Sequence, residues 1–425
     1  MDLLVEKIDG SRYYLSQYKV LITDFEESAP SVTRNSKQLD QRNGNIDFGG
    51  WHTDKTINIT GYYRADDIDE EETLREKLYA LLSDPDGYYI TQLKATPSVA
   101  MERPGETSGG YYDKLSNYPS HKRFLVYTEA PELELVGNVN GTLLYKLTTE
   151  FKTMKLPYGE TPSVDIAIDG PYKDVPVNLL TGTSNVQDYT ISGSGWVLGS
   201  QSTNGSNISI QGIPGKSYTY SAIVKTATFN YYPEIGFYDI SKKLISNSVA
   251  APVTDTGLHY ASAVAPAGTA FLVAHMVLQN PPDSQKLVFN SEKLELGITV
   301  SPLSPNPADP EYNSWRYGLT GNVSIPYSGT VPCNQLEQQF AIELTAKGAS
   351  SSLSFKIDDT ELTYSGTVAS GDVFLFTGFS YTQNGLSIVS KTNKAYFILQ
   401  PDKPNRITCN VPGTVRILGF QNLYA

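Results

Sequence analysis

Cysteine is almost missing: Cys333 and Cys409 are the only two in 425 residues, too few to staple a small secreted domain. Two strand cysteines packed as small hydrophobes is the expected arrangement, with a bridge between them as the alternative. Histidine is sparse as well. His52, His121, His259 and His275 are widely separated, so no local metal motif such as H-E-x-x-H exists, and no metal or cofactor is expected. No run of 18 apolar residues occurs, which argues against a membrane-spanning helix. The opening MDLLVEKIDGSRYYL carries acids and no continuous apolar stretch, so it does not read as a signal peptide and the expected place of synthesis is a cytoplasm.

Charge is also scarce, at 18% of residues, against about 25% in ordinary domains. The net charge is −12, and residues 1–170 hold 28 acidic and 18 basic side chains, ten of the twelve excess negatives. No lysine and arginine cluster could neutralise several phosphates, so nucleic acid is not an expected partner. The nucleophile elbow G-x-S-x-G, the phosphate loop and the dinucleotide fingerprint are all absent. Adjacent Asp358 and Asp359 alternate across a strand, and Glu132 with Glu134 reads as a solvated strand edge, so no acid/base pair is placed. No catalytic residue is nominated, and the chain is not expected to be an enzyme.

What is present is β structure and tyrosine. Hydrophobic residues make up 40% of the chain and 29 tyrosines raise the aromatic share to 11%, which describes a globular protein rather than a disordered one. The length suits about three domains. Ile57, Ile59 and Tyr63 alternate with polar residues over 55–63, and Leu143, Tyr145, Leu147 and Phe151 do the same over 143–154, the pattern of half-buried strands. Further short strands are predicted at 124–127, 217–226, 235–240, 271–278, 340–344, 353–357, 373–376, 395–399 and 415–418, separated by Gly, Asn, Ser and Pro in the manner of sandwiches. One segment differs. Leu74, Leu78, Leu81 and Leu82 recur at helical spacing behind a capping box read as Asp69 with Glu72, and Pro85, Asp86 and Gly87 end the helix.

Pro302, Pro305, Pro307 and Pro310 mark a stiff extended connector. Pro171 and Pro176 mark an earlier boundary, ahead of a Ser/Gly/Asn-rich stretch. Three blocks follow: 1–172, 173–310 and 311–425. Paired tyrosines at 13/14, 62/63, 88/89, 111/112 and 231/232 send one ring inward and one outward, and outward rings pack under loops or meet another subunit or a sugar.

The ordered set LITDFEES, RNGNIDFGGWHTDKTINITGYYR, LREKLYALLSDPDGYYI and LLYKLTTEFKTMKLP resembles the N-terminal domain of the distal tail proteins of long-tailed phages infecting Gram-positive hosts. The final block, from NVSIPYSGTVPCNQLEQQFAIELTA to PNRITCNVPGTVRILGFQNLYA, resembles the galectin-like C-terminal sandwich of that family, without the dense His, Asn, Arg and Trp set of a sugar-binding galectin groove. The middle block, from NLLTGTSN through SYTYSAIVKT to EKLELGITVSPLSPNPADP, is similar to jelly-roll carbohydrate-binding modules and, as an insertion, resembles the longer "evolved" members. The resemblance implies a mainly β chain: an N-terminal β-sandwich or belt domain with one amphipathic helix, an inserted jelly roll and a galectin-like sandwich. It further implies a homo-hexameric ring at the distal end of the virion's tail, contacting tail-tube and tail-tip or baseplate proteins, and host cell-wall polysaccharide through the inserted module. The alternative is a secreted or surface lectin or adhesin, or the non-catalytic part of a glycanase.

A sugar site needs an exposed ring for C–H faces and polar groups for hydroxyls. Trp196, in the glycine- and serine-rich ISGSGWVLGS, is the first candidate, with burial as a sandwich plug the alternative. Tyr231 and Tyr232 offer a second surface. His275 on the 271–278 strand and Gln279 just beyond it supply polar groups, His275 being alternatively a hydrogen-bonded core residue.

Overall fold

The computed structural model describes residues 1–94, 119–198 and 208–425; the Tyr111/Tyr112 pair and residues 199–207 of the Ser/Gly/Asn-rich stretch lie outside them. Three large hydrophobic cores are formed among the described residues, which are mainly β.

The first core lies on an eight-stranded sheet. Thr142–Thr153 is its spine, pairing along one side with Thr56–Ala65 and along the other with Glu132–Val139 and then Phe124–Tyr127. The turn into this strand is Asn140-Gly141, both at positive φ (54° and 88°), the backbone that a tight right-twisted hairpin requires. Ile57, Ile59, Tyr63, Leu147 and Phe151 face inward as their alternation predicts. Helix Ile68–Leu82 lays Leu74, Leu78, Leu81 and Leu82 into this core. It begins earlier than the predicted box. Asp67 accepts the Glu70 amide at 2.8 Å, and the Glu70 carboxylate accepts the Asp66 amide at 2.7 Å, so Asp67 and Glu70 form the cap in place of Asp69 and Glu72. On the helix, buried Glu71 accepts the Tyr63 hydroxyl at 2.9 Å and the Arg75 Nε–H at 2.9 Å.

Val32–Gln38 and Asn45–His52 form a separate two-stranded ribbon with almost every residue exposed. Val32, Phe48 and Trp51 stand on it in solvent.

The middle core is enclosed by two antiparallel sheets. In chain order its eight main strands are Gln187–Ile191, Trp196–Leu198, Ser217–Ala227, Tyr231–Tyr238, Leu244–Val249, Gly257–Val264, Phe271–Gln279 and Gln285–Leu296. Numbered one to eight, they run 1-8-3-6 in one sheet and 2-7-4-5 in the other, which is jelly-roll topology. Ile210–Gln211 adds a short strand beside the seventh.

The last core lies between a six-stranded and a four-stranded sheet. Its outermost strand comes from far upstream: Val164–Ile168 pairs with Gly413–Phe420, and Gly159–Glu160 pairs with Leu423–Tyr424. Residues 159–168, placed by sequence in the first block, are thus part of this sandwich, and the jelly roll is inserted between the sandwich's first strands and the rest. Cys333 and Cys409 are buried and unbonded. Burial pushes their thiols up to about 12 and about 11.

The proline-rich connector does not stand free. Ser304 donates to the Pro176 carbonyl at 2.9 Å and the Asn306 amide to the Asn178 carbonyl at 2.7 Å, so the exit segment lies against the entry segment. Helix Tyr312–Tyr317 follows, its Trp315 ring against Tyr172.

Candidate functional site

The sheet containing Tyr231–Tyr238 and Phe271–Gln279 turns one face to the jelly-roll core and the other away from it. Tyr231, Ile235 and Phe237 belong to the core, as do Leu272, Ala274, Met276 and Leu278. Period-two alternation therefore sets Tyr232, Glu234, His275, Val277 and Gln279 on the outer face. The register pairs Tyr232 with Val277 and Glu234 with His275, and pairs Trp196 with Gln279 on the other flank.

Trp196 opens the edge strand rather than sitting in a loop. Gly195 before it has φ +74°, a left-handed conformation that a side chain disfavours. Its N–H donates to Asn280 Oδ1 at 2.7 Å and its carbonyl accepts the Asn280 amide at 2.7 Å. That turn delivers Trp196 to the outer face, where it is 54% exposed. Its ring meets Tyr232 edge to face, with centroids 5.1 Å apart. Because Phe271–Gln279 runs between the two strands that carry them, the rings meet above it.

Glu234 lies two residues along from Tyr232. Its Oε1 accepts the Asn247 amide at 2.8 Å, and its Oε2 lies 3.6 Å from His275 Nε2. Burial raises its carboxyl, but the hydrogen bonds from His275 and Asn247 outweigh burial and hold it below the ordinary glutamate range. It is a charged acceptor beside an aromatic pair. At the far end of the face the Lys242 ammonium lies 5.6 Å above the Phe271 ring.

Four of the five sequence candidates, Trp196, Tyr232, His275 and Gln279, are brought to this face. Tyr231 is not. It is fully buried, with its hydroxyl donated to the Asp255 carbonyl at 2.7 Å and its ring edge to face with His259, because neighbouring strand residues point to opposite faces. His275 is only 8% exposed and faces Glu234. Glu234 and Asn247 were missed from sequence, although Glu234 at two residues from Tyr232 carries the alternation that would have found it.

A second concavity, of about 300 Å³, opens between the first sheet and the last sandwich, lined by Tyr89, Arg123, Lys155, Glu160, Glu337 and Gln421 among others. Of its two cations, Arg123 is committed: it pairs with Glu6 at 2.9 Å and lies 3.7 Å over the Tyr89 ring. Among the described residues, no cluster of His, Cys, Asp and Glu could hold a metal ion, and no helix is long and apolar enough to cross a membrane.

Residues 8–145 match the phage tail protein RIFT-related domain family, a span that takes in the helix, the exposed ribbon and most of the first sheet. No curated protein matches the chain. Among solved structures, the Dit protein (gp 19.1) of SPP1 aligns at 13% identity over 69% of this chain and 98% of its own, with a TM-score of 0.26. The phage p2 baseplate in its activated conformation with Sr aligns at 11% identity over 68% of this chain and 97% of that one, with a TM-score of 0.28. Those likenesses are faint, and the family match is confined to about a third of the chain: residues 8–145 are similar to the RIFT-related domain of phage tail proteins.

Proposed function

We propose that this chain is a phage distal tail hub, a non-catalytic ring joining tail tube to tail tip, and that its inserted jelly roll binds host cell-wall saccharide during adsorption. It works at the distal end of the virion's tail. The observation that carries the saccharide reading is the outer face of the jelly roll, where exposed Trp196 meets Tyr232 beside ionised Glu234. Flat amphipathic rings stack on sugar C–H faces, and charged or amide groups bond hydroxyls.

The ring reading is supported by the ribbon of Val32–Gln38 and Asn45–His52. Two strands alone are marginal in water, and Val32, Phe48 and Trp51 gain burial when a neighbouring copy covers them. Closed contacts of this kind make rings, six-fold in the family this chain resembles. Repetition of the jelly roll around a ring then multiplies a weak single-site affinity through avidity. Electron microscopy of the purified chain tests the hub: rings with a central channel are expected, and a monomer overturns it in favour of a lectin. Titration with host wall polysaccharide, comparing the parent with Trp196→Ala, tests the face; binding unchanged by the substitution removes Trp196 from the site.

A further inference from the structure

We infer that Glu234 makes this face selective for uncharged glycans, neutral hexoses and N-acetylhexosamines, and against saccharides bearing phosphate or uronate groups. The inference rests on the saccharide reading above and adds the ligand's class. A carboxylate held in its ionised form only accepts hydrogen bonds, so it asks the ligand for hydroxyl or amide donors. Asn247 supplies one of these to Oε1 and His275 Nε2 faces Oε2 at 3.6 Å, leaving the remaining lone pairs of a group with 13% side-chain exposure as acceptor sites. A ligand stacked on the Trp196 and Tyr232 rings lies within one sugar unit of this charge, because Tyr232 and Glu234 are successive residues of one face.

An anionic substituent would meet that carboxylate in a half-desolvated setting, where like charges repel far more than in water. The lysine that lies on this face does not offset it. Lys242 lies over Phe271, which is paired with Tyr238, four residues along the strand from the His275–Glu234 pair and so roughly 13 Å away. Asn247 and Gln279 are neutral amides that offer both donors and acceptors. The face thus combines stacking rings and amides with one fixed negative charge.

Fluorescently labelled full-length chain, applied to a printed array of neutral hexose and N-acetylhexosamine oligosaccharides, uronate oligosaccharides and glycerol-phosphate oligomers, tests this. Bound spots are expected in the uncharged set, with affinities about tenfold or more above any charged spot, and Trp196→Ala should abolish them. Glu234→Gln, which keeps shape and neutralises the charge, should lose several-fold on neutral spots while gaining on charged ones, so that the ratio collapses. A merely structural Glu234 would lower both alike and leave the ratio unchanged, which overturns the inference. Charged spots bound by the parent as well as or better than neutral ones also overturn it, with the saccharide reading intact. No binding to any spot overturns both.

Discussion

Tyr172 and Trp315 stack nearly parallel, ring centroids 4.7 Å apart at 20°, although 142 residues separate them and an entire jelly roll lies between. The Arg316 guanidinium beside them donates to the Lys173 carbonyl, and Gly182 N–H donates to Asp309 at 3.0 Å. Entry and exit of the insertion are therefore clasped together, and the module is a loop grafted at one point of the last sandwich.

Excision follows from that clasp. We propose that residues 173–310 fold as a unit, since they hold their own core and both ends meet. Joining residue 172 to residue 311 through a short glycine linker should leave a soluble protein that still forms rings in electron micrographs and no longer binds wall saccharide. Aggregation of the shortened chain would show that the insertion props up its host.

Helix Ile68–Leu82 offers the opposite outcome. Leu78 is fully buried in the first core, so Leu78→Asp sets an unpaired charge there at a cost of several kcal/mol. The first domain should unfold, and the circular dichroism melt should lose its main transition. An unchanged melt would contradict the packing of the leucine stripe.

Leucines at helical spacing and alternating isoleucines were legible in the sequence because burial imposes a period on residue type. The ribbon of Val32–Gln38 and Asn45–His52 was not, since neither strand buries a face and no period is imposed. The Tyr231/Tyr232 pair was half legible: alternation says that one ring points out but not which. The strand Val164–Ile168 was illegible as part of the last sandwich because pairing over some 250 residues with Gly413–Phe420 leaves no local mark. Glu234 escaped notice for a related reason, its partners Asn247 and His275 arriving from two other strands.

Acid should weaken the first domain through Glu27. Its carboxylate pairs with buried Lys55 and with Lys122 at 2.6 Å; burial raises its carboxyl, and the lysine hydrogen bonds outweigh this to leave it below the ordinary value. A depressed folded-state value contributes stability that is present above the unfolded glutamate pKa, about 4.3, and lost as pH falls through the folded one. The urea midpoint should thus drop below about pH 4.3, and Glu27→Gln should lower the midpoint at pH 7 while flattening that acid limb. An acid limb as steep in Glu27→Gln as in the parent would assign it to other carboxylates.

Thiol labelling tests the last sandwich. Burial holds Cys333 and Cys409 far above the ordinary thiol range, and the thiolate is the reactive form. At pH 8 the native chain should take up almost no iodoacetamide, and two equivalents once unfolded in guanidinium. Rapid labelling of native protein would mean that the sandwich opens.

The neighbours Tyr231 and Tyr232 give the cleanest separation of stability from binding. Tyr231 spends its hydroxyl on the Asp255 carbonyl inside the core, so Tyr231→Phe should cost about 1 kcal/mol of stability, the worth of one buried hydrogen bond, and leave saccharide affinity unchanged. Tyr232 holds the edge of the Trp196 ring on the outer face, so Tyr232→Ala should leave the melting temperature within a degree or two and reduce affinity about tenfold or more, since the indole loses its lateral support as the sugar loses a ring. Thermal melts and wall-polysaccharide titrations on the two variants read both quantities. If Tyr231→Phe were the variant that lost binding, the ligand would have to enter the jelly-roll core and the outer face would not be the site.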